Sequence, residues 1–142
     1  KFLVNPNDYL TLHKKHNGSY LKQGYITIGD GFHTRIRLID DKKAILCSKV
    51  SKSGYREEYE EEIDIEHGRL LYKNAQRTLE KYRISLKING LHWDIDNFYN
   101  DGKIVAEVEF PKLNQKIEMP EWAGKEVTDD KDYSNIKLAR KA

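Results

Sequence analysis

A chain of 142 residues with 25 Lys and Arg against 23 Asp and Glu, and a formal net charge of +2, has room for one ordinary domain and too little surplus charge for a surface that coats nucleic acid. Its single cysteine, Cys47, excludes an internal disulfide and a multi-cysteine zinc site. With no leader pattern and no long apolar run, the expectation is a cytoplasmic protein that does not engage a membrane.

Taken in order, NPNDYLTLHKKHN (5–17) offers a helical turn, and GYITI (24–28), TRIRLI (34–39), AILCSKV (44–50) and REEYEEEIDI (56–65) alternate as strands do. DIEHGRLLYKNAQ (64–76) follows as a helix, with Asp64 as its cap and Leu70 and Leu71 as an apolar pair. KYRISLKI (81–88), HWDIDNF (92–98) and KIVAEVEF (103–110) return to alternation, and TDDKDYSNIKLARKA (128–142) reads as a helix capped by Thr128 or Asp129. The signals DDKK, KSG, NG and NDG separate the strands. GDG at 29–31 lacks the helix and lysine of a phosphate loop and reads as a turn. The expected architecture is mainly β: seven or eight antiparallel strands closed into a sandwich or barrel, which protects the edges, with a few flanking helices.

Period-two alternation decides which charges share a face. Arg35 pairs with Arg37, Lys81 with Arg83, Asp94 with Asp96 and Glu107 with Glu109, while Ile36, Leu38, Tyr82, Ile84, Trp93, Ile95, Val108 and Phe110 fall opposite. In REEYEEEIDI, Tyr59 and Ile63 favour the register that puts Glu58, Glu60 and Glu62 together. Two guanidiniums about 6 Å apart repel by roughly 3 kcal/mol at an effective dielectric near 20, so a face holding Arg35 and Arg37 calls for an anion. Charged faces turned to solvent are the plain alternative, but solvation gives no reason for like charges at i and i+2. A cationic wall and a carboxylate wall together suit a polyanion with its metal ions, with Glu58 and Glu60 as ligands for a hard cation such as Mg2+. Five scattered histidines, with His13 and His16 the only close pair, read as surface residues, and Cys47 reads as a small strand residue.

KFLV (1–4), QGYI (23–26), RIRL (35–38), SK (48–49), REEYE (56–60), EKYR (80–83), WDIDNF (93–98), AEVEF (106–110) and PEWAGKEVTDDKDYSN (120–135) together resemble the CYTH superfamily, the triphosphate tunnel metalloenzymes, and above all its small bacterial inorganic tripolyphosphatases. The resemblance spans Lys1 to about Ala139 and implies a single domain over 1–142, built as an eight-stranded antiparallel β-barrel tunnel with its charged faces lining the tunnel. It matches Lys1 to the last position of a Glu-x-Glu-x-Lys signature and Lys49, Arg56, Lys81 and Arg83 to other basic tunnel positions. Glu58, Glu60, Asp94, Asp96, Glu107 and Glu109 match its acidic positions, and Tyr25 matches a tyrosine that acts with the equivalent of Lys81 on water. The two glutamates of the signature would precede Lys1. Without them metal binding is expected to weaken, and adding a Glu-x-Glu-x segment is expected to raise activity. PKLNQKIEMPEW (111–122) is also shorter and less helical than the family's usual segment there.

The implied activity is metal-dependent hydrolysis of inorganic triphosphate or a related triphosphate. Lys1, Arg35, Arg37, Lys49, Arg56 and Arg83 would bind phosphate, and Glu58, Glu60, Glu107 and Glu109 would hold Mg2+ or Mn2+. Tyr25 and Lys81 would act on water. Asp94 and Asp96 would serve either as metal ligands or as partners that hold the basic side chains. The resemblance leaves open a class IV-type adenylate cyclase or a thiamine triphosphatase acting on a nucleoside or thiamine triphosphate, and the residues alone leave open a non-catalytic module that binds polyphosphate or nucleotide. A monomer or a homodimer fits equally.

Overall fold

The computed structural model describes residues 1–109, 118–128 and 130–141. In chain order its elements are β1 (Phe2–Val4), α1 (Pro6–Lys15), β2 (Ser19–Gly29), β3 (Phe32–Ile39), β4 (Lys43–Lys52), β5 (Tyr55–Ile63) and α2 (Ile65–Lys73). There follow β6 (Arg77–Ile88), β7 (Leu91–Phe98), β8 (Ile104–Val108), β9 (Ala123–Glu126), a 3-10 turn (Lys131–Tyr133), α3 (Asn135–Leu138) and β10 (Arg140–Lys141). The chain groups into two compact units, one of Lys1–Ser19 with Lys81–Tyr133 and one of Tyr20–Glu80 with Ser134–Ala142.

In the unit that begins at Lys1, β6, β7, β8, β1 and β9 lie side by side, each pairing antiparallel with its neighbour. The β6–β7 turn is Asn89–Gly90 with φ of 50° and 78°, the left-handed pair that a two-residue hairpin needs. Ile84, Trp93, Ile95, Ala106 and Val108 form one apolar face, which Tyr9 and Leu12 of α1 cover. Trp93 is buried between Phe2, with ring centroids 5.8 Å apart, and Trp122 at 5.1 Å, edge to face. Asn5 caps α1 by accepting from the Asn7 N–H, and Pro6 occupies the first helical turn, where a missing N–H costs nothing.

In the other unit β5, β4, β3 and β2 pair in that order, all antiparallel, and β10 adds to the first residues of β6. Ile36, Leu38 and Ala44 form its apolar face, with Ile63, Ile65, Leu71 and Tyr72 packed against them. Asp64 caps α2 as expected, through the N–H groups of Glu66 and His67. Gly68 lets α2 press onto the strands, since a Cβ there would lie 2.4 Å from Ala44 Cβ and 3.0 Å from Leu38 Cδ2. Gly68→Ala is therefore expected to cost about 1–3 kcal/mol, read as an earlier urea midpoint, although alanine is the better helix former.

Antiparallel strands with flanking helices are present as expected, but closure is not: among the described residues neither strand order returns on itself. The outer strand β5 shows how an edge survives without closure, because Glu57, Glu58, Glu60, Glu61 and Glu62 keep it charged and exposed. Ten strands are formed among the described residues, the additions being the short β1, β9 and β10. The expected helix over 128–142 shrinks to α3, capped by Ser134, and it ends at Ala139 in extended backbone. Short polar side chains bond locally there and compete with helix: Thr128 donates to Glu126 at 2.7 Å, and Asp130 accepts from the Asp132 N–H at 3.0 Å. Asp129, the alternative cap, Phe110 and most of PKLNQKIEMPEW lie outside the described residues.

Candidate functional site

Each unit has one apolar face under a helix and one charged face, and the strand register shows what each charged face holds. In the unit with β2 to β5, Tyr25 lies opposite Arg35, Arg35 opposite Cys47 and Cys47 opposite Glu60. The adjoining rows are Gln23–Arg37–Ile45–Glu62 and His33–Lys49–Glu58, with Arg56 opposite Ser51. Tyr25, Arg35, Arg37, Lys49, Arg56, Glu58 and Glu60 thus share one face, in the register that Tyr59 and Ile63 indicate. The cations of β3 are half-buried, whereas the glutamates of β5 are exposed.

Glu58 joins the two signs. Its carboxylate lies 3.7 Å from Arg35 Nη2 and accepts from the Cys47 thiol at 3.3 Å. Burial opposes its ionisation, but the thiol bond and Arg35 outweigh that and hold the carboxyl below its ordinary range. Cys47 is shifted upward, by burial first and by the bond to Glu58, so it remains a thiol. Cys47, Glu58 and Glu60 bring their donor atoms within 4.8 Å of one another. A protonated thiol is a poor ligand for a hard cation, so the two carboxylates are the part of this trio that fits Mg2+ or Mn2+.

Tyr25 is fully buried, and burial pushes its phenol up against the opposing pull of Arg35 and Arg37, so it stays protonated at neutral pH. Its place is set by a bulge in β2 between Tyr25 and Thr27, where the carbonyls of Tyr25 and Ile26 accept from the backbone and side chain of Gln76 at 2.8 and 2.9 Å. His33 packs edge to face on the Tyr25 ring at 5.4 Å, and burial followed by Arg35 and Lys49 pushes its pKa down. Three side-chain atoms on this face have no hydrogen-bond partner among the described residues: Gln23 Nε2, His33 Nε2 and Arg35 Nε. Gln23 and His33 were not singled out by sequence, and their only signal was a polar residue on the face that carries Tyr25 and Arg35.

In the unit with β6 to β8, Arg83 lies opposite Asp96, and Asp94 lies opposite both Ser85 and Glu107. Arg83 grips Asp96 with two bonds, Nε to Oδ1 at 2.7 Å and Nη2 to Oδ2 at 2.9 Å, and lies 3.6 Å from Asp94. Lys81, with no exposed surface, places Nζ 2.8 Å from Asp96 Oδ2 and 5.2 Å from the centre of the Phe98 ring. Burial alone would raise the Asp96 carboxyl, but Lys81 and Arg83 overcome it and hold it at about 2. Asp96 in turn raises the Arg83 guanidinium further above its ordinary value, in spite of burial. Both Asp96 oxygens are thereby engaged by cations. Asp94 accepts from Ser85 at 2.7 Å and contacts His92 at 2.9 Å. Glu107 and Glu109 are exposed, Glu109 just beyond the end of β8. Lys1 Nζ donates to the Tyr133 carbonyl at 3.2 Å.

No helix among the described residues is long and apolar enough to cross a membrane. No family model matches the chain. It is similar to an inorganic triphosphatase of Acetivibrio thermocellus, 33% identical over 144 residues that cover 99% of this chain and 90% of that protein. It is also similar to an inorganic triphosphatase of Nitrosomonas europaea, 33% identical over 126 residues, which are 84% of this chain and 83% of that one. Among solved structures, the hypothetical protein NE1496 superposes with a TM-score of 0.68 at 32% identity, over 97% of this chain and 93% of that one. A conserved hypothetical protein from Pyrococcus furiosus, at 22% identity, shares the fold with a TM-score of 0.60 over 78% of this chain and 77% of its own. With a third of its residues identical across nine-tenths of the first relative, the chain belongs to the family of these inorganic triphosphatases.

Proposed function

We propose that the chain is a metal-dependent hydrolase of inorganic triphosphate or a related triphosphate, a CYTH-type domain over 1–142 whose charged strand faces carry the site residues. The observation that carries this reading is the segregation of sign on the face of β2 to β5. Half-buried guanidiniums sit beside a fringe of exposed carboxylates, and buried donors there lack acceptors among the described residues. Phosphoryl transfer needs charge neutralisation and a placed water more than covalent chemistry. Arg35, Arg37, Lys49 and Arg56, with Lys1 and Arg83, bind phosphate oxygens, and Glu58, Glu60, Glu107 and Glu109 hold Mg2+ or Mn2+. When bound, the ion neutralises phosphate charge and polarises the phosphoryl group. Asp94 and Asp96 hold Arg83 and Lys81 in place. Tyr25, protonated, orients water by hydrogen bonding rather than as a base, and Lys81 supplies a fixed positive charge. The partner is then a triphosphate rather than nucleic acid or membrane, in the cytoplasm, with the chain a monomer or homodimer.

Phosphate release by the full-length protein from inorganic triphosphate, ATP and thiamine triphosphate, each with Mg2+, Mn2+ or chelator, tests the reading. Fastest release from inorganic triphosphate is expected. Preferred release from thiamine triphosphate, or cyclisation of ATP, would move the chain to one of the other activities. Tight binding with no turnover in any metal would make it a binding module. Lys81→Met should lower kcat by roughly a hundredfold or more, because one charge aimed at the transition state is lost while several cations still hold the substrate. Unchanged kcat in that variant would remove Lys81 from the chemistry.

A further inference from the structure

The face of the β2–β3 pair holds a donor that its surroundings leave unsatisfied. Gln23 has no exposed surface, and it lies opposite Arg37. Its carboxamide oxygen accepts from Arg37 Nε at 3.0 Å, which fixes the amide's orientation, since the nitrogen cannot face an N–H donor. The two N–H donors of Nε2 are then buried with no acceptor among the described residues. The bond to Arg37 employs only the oxygen, and the other end of the amide buries two donors without return, so this position calls for an acceptor that arrives from outside the chain. Arg35 Nε, on the same face and likewise unpartnered, makes the same demand of an anion.

Resting on the reading of this face as a triphosphate site, we propose that Gln23 is a substrate-binding residue whose oxygen fixes the Arg37 guanidinium and whose Nε2 donates to a phosphoryl oxygen. A single amide in this way sets the angle of one cation and adds a neutral donor beside it. That donor favours an oxygen at a defined distance rather than negative charge in general.

Gln23→Met and Gln23→Glu test the proposal through calorimetric titration with inorganic triphosphate, steady-state kinetics and thermal melting of the full-length protein. Gln23→Met removes both bonds and should weaken triphosphate affinity about tenfold, with KM rising in step and kcat within about threefold of the parent. Gln23→Glu keeps the shape and gives Arg37 an ion pair, so its melting temperature should hold or rise, while its carboxylate repels phosphate and weakens affinity about a hundredfold. A Gln23 that only supports the fold would instead lower the melting temperature and leave the affinity of the folded protein intact. Affinities within twofold of the parent in both variants would overturn the proposal while leaving the hydrolase reading in place. A parent protein that does not bind triphosphate would overturn both. Should Gln23→Glu fail to fold, Gln23→Met carries the same decision.

Discussion

Asp96→Ala should lower the stability of the protein by about 3–5 kcal/mol, the range found when one partner of a buried ion pair is removed and the other is left behind. The size follows from what remains. Lys81 has no exposed surface, so its ammonium loses a carboxylate at 2.8 Å with no water to replace it, and Arg83 loses both bonds of its grip. Removing the stranded lysine charge as well, in Asp96→Ala with Lys81→Met, should restore part of the loss, which makes the pair a double-mutant cycle readable by urea denaturation. The pH dependence has a definite sign. The Asp96 carboxyl is held at about 2 in the folded chain, so its contribution is complete above the ordinary carboxylate range and is lost as pH falls toward 2. In Lys81→Met that loss should be smaller and end at a higher pH, because one of the two cations holding the carboxyl down is gone and its folded and unfolded values lie closer together. An Asp96→Ala chain as stable as its parent would show that the pair is solvated.

Neutralising both arginines of β3, Arg35→Met with Arg37→Met, should weaken inorganic triphosphate binding by a hundredfold or more in metal-free buffer. Each guanidinium makes charge-assisted bonds of about 1.5–3 kcal/mol, and two of them together account for roughly 3–6 kcal/mol. The fold should lose no more than about 1–3 kcal/mol, the cost of leaving the buried Gln23 Oε1 without the Arg37 Nε donor. Both side chains stand on the charged face, clear of the cluster formed by Ile36, Leu38 and Ala44, and their mutual repulsion disappears. Affinity unchanged in the double variant would mean that β3 does not face the substrate.

Most of this was legible because a strand has a period of two, and one decision about facing fixes a whole row. Once Tyr59 and Ile63 set the facing of β5, Glu58 and Glu60 were placed on its charged side, and the cross-strand register of the fold then sets them opposite Lys49 and Cys47. Asp64 announced α2 because an N-cap is a local bond, read from one residue and its neighbours. Three features were hidden for physical reasons. Whether an edge pairs with another strand depends on contacts distant in sequence, so alternation could not report that β5 ends its sheet. The helix over 128–142 is cut short because Asp130 accepts from a nearby backbone N–H and Ser134 starts the helix later as its cap, local bonds that periodicity does not weigh. Gln23 went unnoticed because a glutamine between Leu21 and Tyr25 carries no charge to pair, and only its burial and its orphaned nitrogen mark it.

The most direct measurement is phosphate release from inorganic triphosphate by the full-length protein as Mg2+ or Mn2+ is titrated against a chelator. Carboxylates placed beside a cationic face predict release that rises saturably with metal and falls to background when the metal is removed, while triphosphate binding persists. Release at full rate in chelator, or binding with no release at any metal concentration, would contradict the account.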